Sequence, residues 1–173
     1  CPYEFYWYNS TESTPISVGD NSSISQVDRV VKYNYKVSFP VSADYSGGSA
    51  YTVNTTKTSA ATAAATKAKA IVSAAAGKSD YEKLVYYKEQ ICSLVEYNNT
   101  AAGKNYDISV SGISPWQLIY VFDGNSSTNV VCEGYAKAFQ YLCDLDGGID
   151  CYCVSGDMRV NAEEAEPHMW NIV

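Results

Sequence analysis

The chain has 173 residues, enough for one domain with a real hydrophobic core. Its 12 basic and 19 acidic side chains give a net charge of −7, which excludes a surface built to grip nucleic acid and disfavours an anionic membrane surface. The single histidine, His168, excludes any metal site built on two or more histidines; no metal or other cofactor is expected. No apolar run approaches the roughly 18–20 residues of a membrane span.

In chain order, residues 2–8 are aromatic and read as extended, and the Ser/Asn/Gly-rich residues 9–26 read as loop. Residues 28–41 alternate, with Val31, Tyr33, Tyr35, Val37 and Phe39 facing one way and Lys32, Asn34, Lys36 and Ser38 the other. This predicts a half-buried strand ended by Pro40. Gly47-Gly48 marks a turn, and Ala50–Thr55 reads as a returning strand. Residues 1–57 are therefore expected to form a β-rich N-terminal extension.

The composition changes near Ser59. Residues 60–76 are mostly Ala, a strong helix composition, with Gly77 in the place of a C-terminal cap. A second helix is expected from Ser79 and Asp80, with Glu82 in its first turn and an apolar stripe of Leu84, Tyr87, Ile91, Leu94 and Val95. A polar loop spans 98–114. Pro115 opens a short helix over Trp116–Phe122, and a turn covers 123–128.

The third helix places Cys132, Tyr135, Ala136, Phe139 and Cys143 on one face and stops at Gly147-Gly148. Ile149–Ser155 alternates as a strand, residues 157–166 form an acidic loop, and His168–Val173 reads as a last strand. On that strand His168, Trp170 and Ile172 share one face, while Met169, Asn171 and Val173 share the other.

The six cysteines, at 1, 92, 132, 143, 151 and 153, contain no Cys-x-x-Cys pair and do not read as a disulfide scaffold or a zinc ribbon. Cys151 and Cys153 share a strand face and cannot easily bridge each other, whereas Cys143 can meet one of them across the packing. Their simplest role is that of small buried hydrophobes.

Cys132 stands out by its position at a helix start. There the helix dipole and free backbone N–H groups favour a thiolate and can hold a developing oxyanion. Gly134 removes side-chain bulk where a substrate backbone would approach. Glu133 opposes thiolate formation unless it points away. His168 is the one side chain able to act as base and acid for this thiol near neutral pH.

The segments Val131-Cys132-Glu133-Gly134-Tyr135-Ala136, Val154-Ser155-Gly156 and His168-Met169-Trp170-Asn171 resemble the bacterial transglutaminase-like domain. That family shows Cys-x-Gly-Tyr-Ala at the nucleophile, Val-x-Gly at a strand end and His-x-Trp-Asn at the base. The helix that begins Ser79-Asp80-Tyr81-Glu82 also fits, so the resemblance covers about residues 79–173. Cys132 and His168 are 36 residues apart, against roughly 130 or more in papain-like proteases. The residue before the nucleophile is Val131, where NlpC/P60 peptidases usually carry Asp.

The resemblance implies an α+β fold with a papain-like, transglutaminase-like core over 58–173, in which the nucleophile helix packs on an antiparallel sheet. It implies Cys132 as nucleophile, His168 as base and acid, and an orienting Asp or Asn on a following strand. The sequence reaches Val173 without that strand, so the core is expected to be truncated at its C-terminal end. Asn171 is a poor substitute, because it faces away from His168.

The Cys132 N–H is the first oxyanion donor. Trp116 Nε1 or the Gln117 amide is the candidate second donor, Trp116 also reading as a core aromatic. Trp170 is expected to pack beside the histidine and shield the site, and Tyr135 to be core.

The expected chemistry is acyl transfer through a thioester on a protein or peptide amide, ending in crosslinking by an amine or hydrolysis by water. A non-catalytic surface module that binds peptide or protein is the alternative, and a structural spacer a third. Abundant Tyr (16) and low charge (18%) point to a secreted or cell-surface protein, with other surface domains expected on the full-length chain.

Overall fold

The computed structural model describes residues 7–8, 15–19, 25–27, 30–32, 35–102, 118–159 and 165–173. It is mixed α+β and divides into two compact units, Trp7–Thr58 and a larger one that takes in Ser59–Val173.

Among its described residues the smaller unit holds four strands of three residues each: β1 (Ser17–Gly19), β2 (Ser25–Val27), β3 (Val30–Lys32) and β4 (Lys36–Ser38). β1 pairs antiparallel with β4, placing Val18 opposite Val37, and β2 pairs antiparallel with β3. Within the span 28–41, expected as one half-buried strand, the described residues hold two short strands, and two further strands lie where loop was expected. Tyr35 and Val37 are exposed rather than half-buried. Among the described residues of this unit no second layer covers so short a ladder, and alternation alone cannot bury a face. The core of this unit is Val41 and Tyr45, with the Tyr8 ring edge-on to Phe39 at 5.9 Å. The returning strand expected at 50–55 is reduced to a single bridge between Ser46 and Val53.

The larger unit begins with α1 (Ser59–Ala74), whose buried Ala64, Ala68 and Ile71 recur at four and three residues, a stripe continued by Ala75 beyond its end. Small side chains there let α1 lie close against its neighbours. α2 (Asp80–Leu94) starts with a reciprocal cap. The Glu82 N–H donates to Ser79 Oγ at 3.4 Å, and the Ser79 N–H donates back to Glu82 Oε2 at 2.9 Å. The Ser79 hydroxyl, and after it the Ser79 N–H, donate to the Glu82 carboxylate and hold it below its usual range. Tyr87 and Ile91 form its buried stripe, with Leu84 and Leu94 packed beside them.

After the short helices α3 (Asn99–Ala102) and α4 (Ile119–Phe122) comes α5 (Cys132–Asp146), the helix against which the other elements pack. Its chain reversal is set by Gly147 at φ +74°, whose N–H donates to the Cys143 carbonyl at 3.0 Å. The hairpin of β5 (Tyr152–Met158) and β6 (Glu166–Ile172) pairs antiparallel in a register that sets Gly156 opposite His168 and Cys153 opposite Asn171. Ile71, Tyr87, Ile91, Phe122, Val130, Leu142 and Cys143 form the core between the helices. Lys83 of α2 pairs with Asp146 of α5 at 2.9 Å, nearly out of solvent. Among the described residues no helix is long and apolar enough to cross a membrane.

Candidate active site

The start of α5 is held from behind. A turn leads into it, in which Thr128 Oγ1 donates to Asp123 Oδ2 at 2.7 Å. The segment after α2 then runs alongside: Asn98 N donates to the Val130 carbonyl at 3.0 Å, and Glu96 N to Asn129 Oδ1 at 3.1 Å. Val130 and Val131 are buried, so the chain enters the helix from a fixed point.

Cys132 is the first residue of α5, and the N-cap position is Val131. Valine has no side-chain acceptor and makes no capping hydrogen bond. The first-turn N–H groups therefore keep their donors beside the thiol. The Glu133 carboxylate pairs with the Lys137 ammonium one turn on.

Two side-chain hydrogen bonds seat the hairpin on this helix. Gln140 Oε1 accepts from the Cys153 N–H at 3.1 Å, and Asn171 Nδ2 donates to the Ala136 carbonyl at 2.9 Å. The face of β6 opposite Asn171 carries His168 and Trp170. Their rings stack with centroids 6.5 Å apart and planes 22° from parallel.

Cys132 and His168 line one cavity of about 350 Å³. α2 contributes Lys88, Ile91 and Cys92; α5 contributes Cys132, Tyr135, Ala136 and Phe139; β6 contributes His168 through Asn171; and Tyr97 closes one side. The walls are mainly apolar, with the exposed Lys88 as the one cationic side chain among the described residues that line them. The Tyr97 and Tyr135 rings stack at 6.1 Å, and the Tyr135 hydroxyl donates to the Val95 carbonyl at 2.9 Å. Burial, more than the neighbouring Cys92 and Glu96, pushes the Tyr135 hydroxyl pKa up. The thiol of Cys132 and the imidazole of His168 share the cavity without a hydrogen bond between them.

No protein-family model matches this chain, and no curated protein matches it.

Of the expected site residues, Cys132, His168 and Trp170 are thus brought together. Gly134 is buried in the first turn of α5 and does not line the cavity. Trp116 and Gln117 lie outside the described residues. Sequence reasoning missed the contribution of α2. Lys88 and Cys92 stand four apart beside the Tyr87–Ile91 stripe, the spacing that puts both on one flank of the helix. Tyr135, expected as core, does pack against the core, and its ring also forms part of the cavity wall. Among the described residues no group of three or more His, Cys, Asp or Glu side chains is arranged to hold a metal ion.

Proposed function

We propose that the larger unit is a transglutaminase-like core of the papain-like type, which performs cysteine-dependent acyl transfer on a protein or peptide amide. The observation that carries this reading is the meeting of Cys132, at an uncapped helix start, with His168 in one cavity.

In this reading His168 takes the thiol proton, and Cys132 Sγ attacks the amide carbon. The negative charge that develops on the amide oxygen falls beside the first-turn N–H groups of α5, which among the described residues have no side-chain cap. Collapse of the tetrahedral adduct breaks the C–N bond. His168 returns the proton to the leaving amine, and a thioester remains on Cys132. Water or a second amine then resolves it. Among the described residues no side chain accepts a hydrogen bond from the His168 imidazole. The Trp170 stack supplies its orientation from within this chain. That lack of an acceptor favours the second reading, in which the same cavity binds peptide or protein without turnover.

Alkylation of Cys132 by iodoacetamide at pH 7, followed by peptide mapping, tests the proposal. Labelling well above the rate of a free thiol, slowed at least several-fold by His168→Ala, is the expected result. Labelling no faster than a free thiol and indifferent to His168→Ala would overturn the catalytic reading. Incorporation of a dansylated primary amine into a glutamine-containing protein, against ammonia release without incorporation, separates crosslinking from hydrolysis.

A further inference from the structure

The cavity runs against the composition of the chain. With 19 acidic and 12 basic side chains, a hollow in this molecule is expected to carry carboxylates. Among the described residues that line this one there is no carboxylate, and the fixed charge is the ammonium of Lys88. Lys88 both lines the cavity and is exposed, which places it at the mouth. One turn away on either side along α2 stand Leu84, Val85, Ile91 and Cys92, so no helical ion pair is open to it. Glu89 and Glu96 do not line the cavity, and Glu133 of α5 is taken by Lys137. Among the described residues Lys88 has neither an ion pair nor a hydrogen bond. Its charge is left for a ligand.

The rest of the wall suits an apolar side chain. Tyr97 and Tyr135 stack at 6.1 Å, α5 adds Phe139, and β6 brings the half-exposed Trp170. At about 350 Å³ the cavity is small for a ligand pocket, which fits a short peptide stretch. We propose that Lys88 is a specificity-determining residue, which selects a peptide carrying an Asp or Glu side chain on one side of the reactive amide and an apolar or aromatic side chain on the other. The inference deepens the acyl-transfer reading and rests on it in one respect, that the amide lies at Cys132.

The aromatic wall supplies most of the attraction, and the ammonium supplies the discrimination. A carboxylate at the mouth meets an unpaired positive charge, whereas a substrate lysine in that place meets a like charge and is rejected. The site is partly solvated, so the preference is that of an exposed pair, roughly two- to five-fold at low salt. The net charge of −7 acts on an acidic peptide from further away. At physiological salt it is screened beyond about 8 Å, and the local charge of Lys88 decides.

The test is protection of Cys132 in the full chain from iodoacetamide, read by peptide mapping. Four tripeptides are used, acetylated and amidated so that only side chains carry charge: Phe-Gln-Glu, Phe-Gln-Gln, Phe-Gln-Lys and Ser-Gln-Glu. Phe-Gln-Glu is expected to protect at a concentration roughly two- to five-fold lower than Phe-Gln-Gln, with Phe-Gln-Lys weaker again and the gaps shrinking in high salt. Ser-Gln-Glu, which offers the wall no ring, is expected to be several-fold weaker than Phe-Gln-Glu. Lys88→Gln removes the preference for Glu, and Lys88→Glu reverses it in favour of Lys. Both variants are checked for folding by circular dichroism. The labelling rate without peptide, and its response to His168→Ala, reports on thiol activation separately. A slow Cys132 that still ranks the peptides through Lys88 removes turnover and upholds the subsite. An activated Cys132 that ranks them alike in parent and Lys88→Glu overturns the subsite and leaves the chemistry standing. Protection by none of the four also overturns it, as does equal protection by hexanoate, which carries the same charge and apolar surface without a peptide.

Discussion

The indole of Trp170 lies across the β5–β6 ladder onto Gly156, so closely that a Cβ at position 156 would stand 2.8 Å from its Cη2 atom. The same indole stacks on His168. Gly156 is therefore the floor on which the aromatic support of the histidine rests. Gly156→Ala is expected to swing the half-exposed indole outward at the low end of the about 1–3 kcal/mol that overpacking costs. The larger effect falls on the site: alkylation of Cys132 slows several-fold and its pH dependence shifts, as His168 loses its stacking partner. Trp170→Phe in the same chain removes the clashing ring atoms and returns the stability. A thermal melt and a pH profile of Cys132 alkylation check both parts, and an unchanged profile would remove Gly156 from the positioning of His168.

Asn171 clips β6 to α5 through the Ala136 carbonyl. Asn171→Ala is expected to cost about 1 kcal/mol, the usual net worth of one hydrogen bond. Asn171→Asp should cost more, since a carboxylate brings a charge against a carbonyl oxygen and has no proton to donate. Urea unfolding of the two variants at neutral pH gives the order, and Asp no worse than Ala would show that the clip carries no weight.

Much of this arrangement was legible from residue types. The Ser79–Glu82 box, the Tyr87–Ile91 stripe and the Gly147 stop rest on local rules, and each stands where those rules put it. The position of Cys132 at the start of its helix, as first or second residue, followed in the same way, and it is the first. The missing parts depend on which surfaces meet. Lys88 and Cys92 belong to the cavity only because α2 packs beside α5, and Tyr135 lines it with its hydroxyl donating to the Val95 carbonyl. The exposed Val37 makes the same point in reverse, since an alternating pattern marks a face fit for burial and does not supply the layer that buries it.

Phe139 reads from the sequence as a core aromatic whose loss would cost the roughly 3–5 kcal/mol of a buried Phe. In the structure it is only partly buried and forms cavity wall. Phe139→Ala is now expected to cost about 1–2 kcal/mol, below the range for full burial. Leu142→Ala, three residues on and wholly buried, should cost about 2–5 kcal/mol. Cys132→Ala removes one small group at the cavity edge and should stay within about 1 kcal/mol of the parent. Denaturant melts of the three variants rank them, and a Cys132→Ala loss as large as that of Leu142→Ala would make Cys132 a packing residue.

Alkaline pH should loosen the larger unit. Burial, aided by the charge of Asp146, pushes the Tyr87 hydroxyl up to about 12. Burial, with Cys151 beside it, pushes the Cys153 thiol up to about 11, and burial raises Cys143 further still. Each of these groups holds its proton more tightly folded than unfolded. In the unfolded chain thiols ionise near about 8.5 and tyrosine near about 10. The stability each contributes is therefore fully present below those values and is lost as pH climbs towards the folded ones. In reductant, the urea midpoint should hold level to about pH 8 and fall steadily above about pH 9. Cys143→Ala combined with Cys153→Ala removes the two thiols with the highest folded values, so its midpoint should decline less steeply between about pH 9 and 11. An identical slope for parent and double variant would place the alkaline transition elsewhere in the molecule.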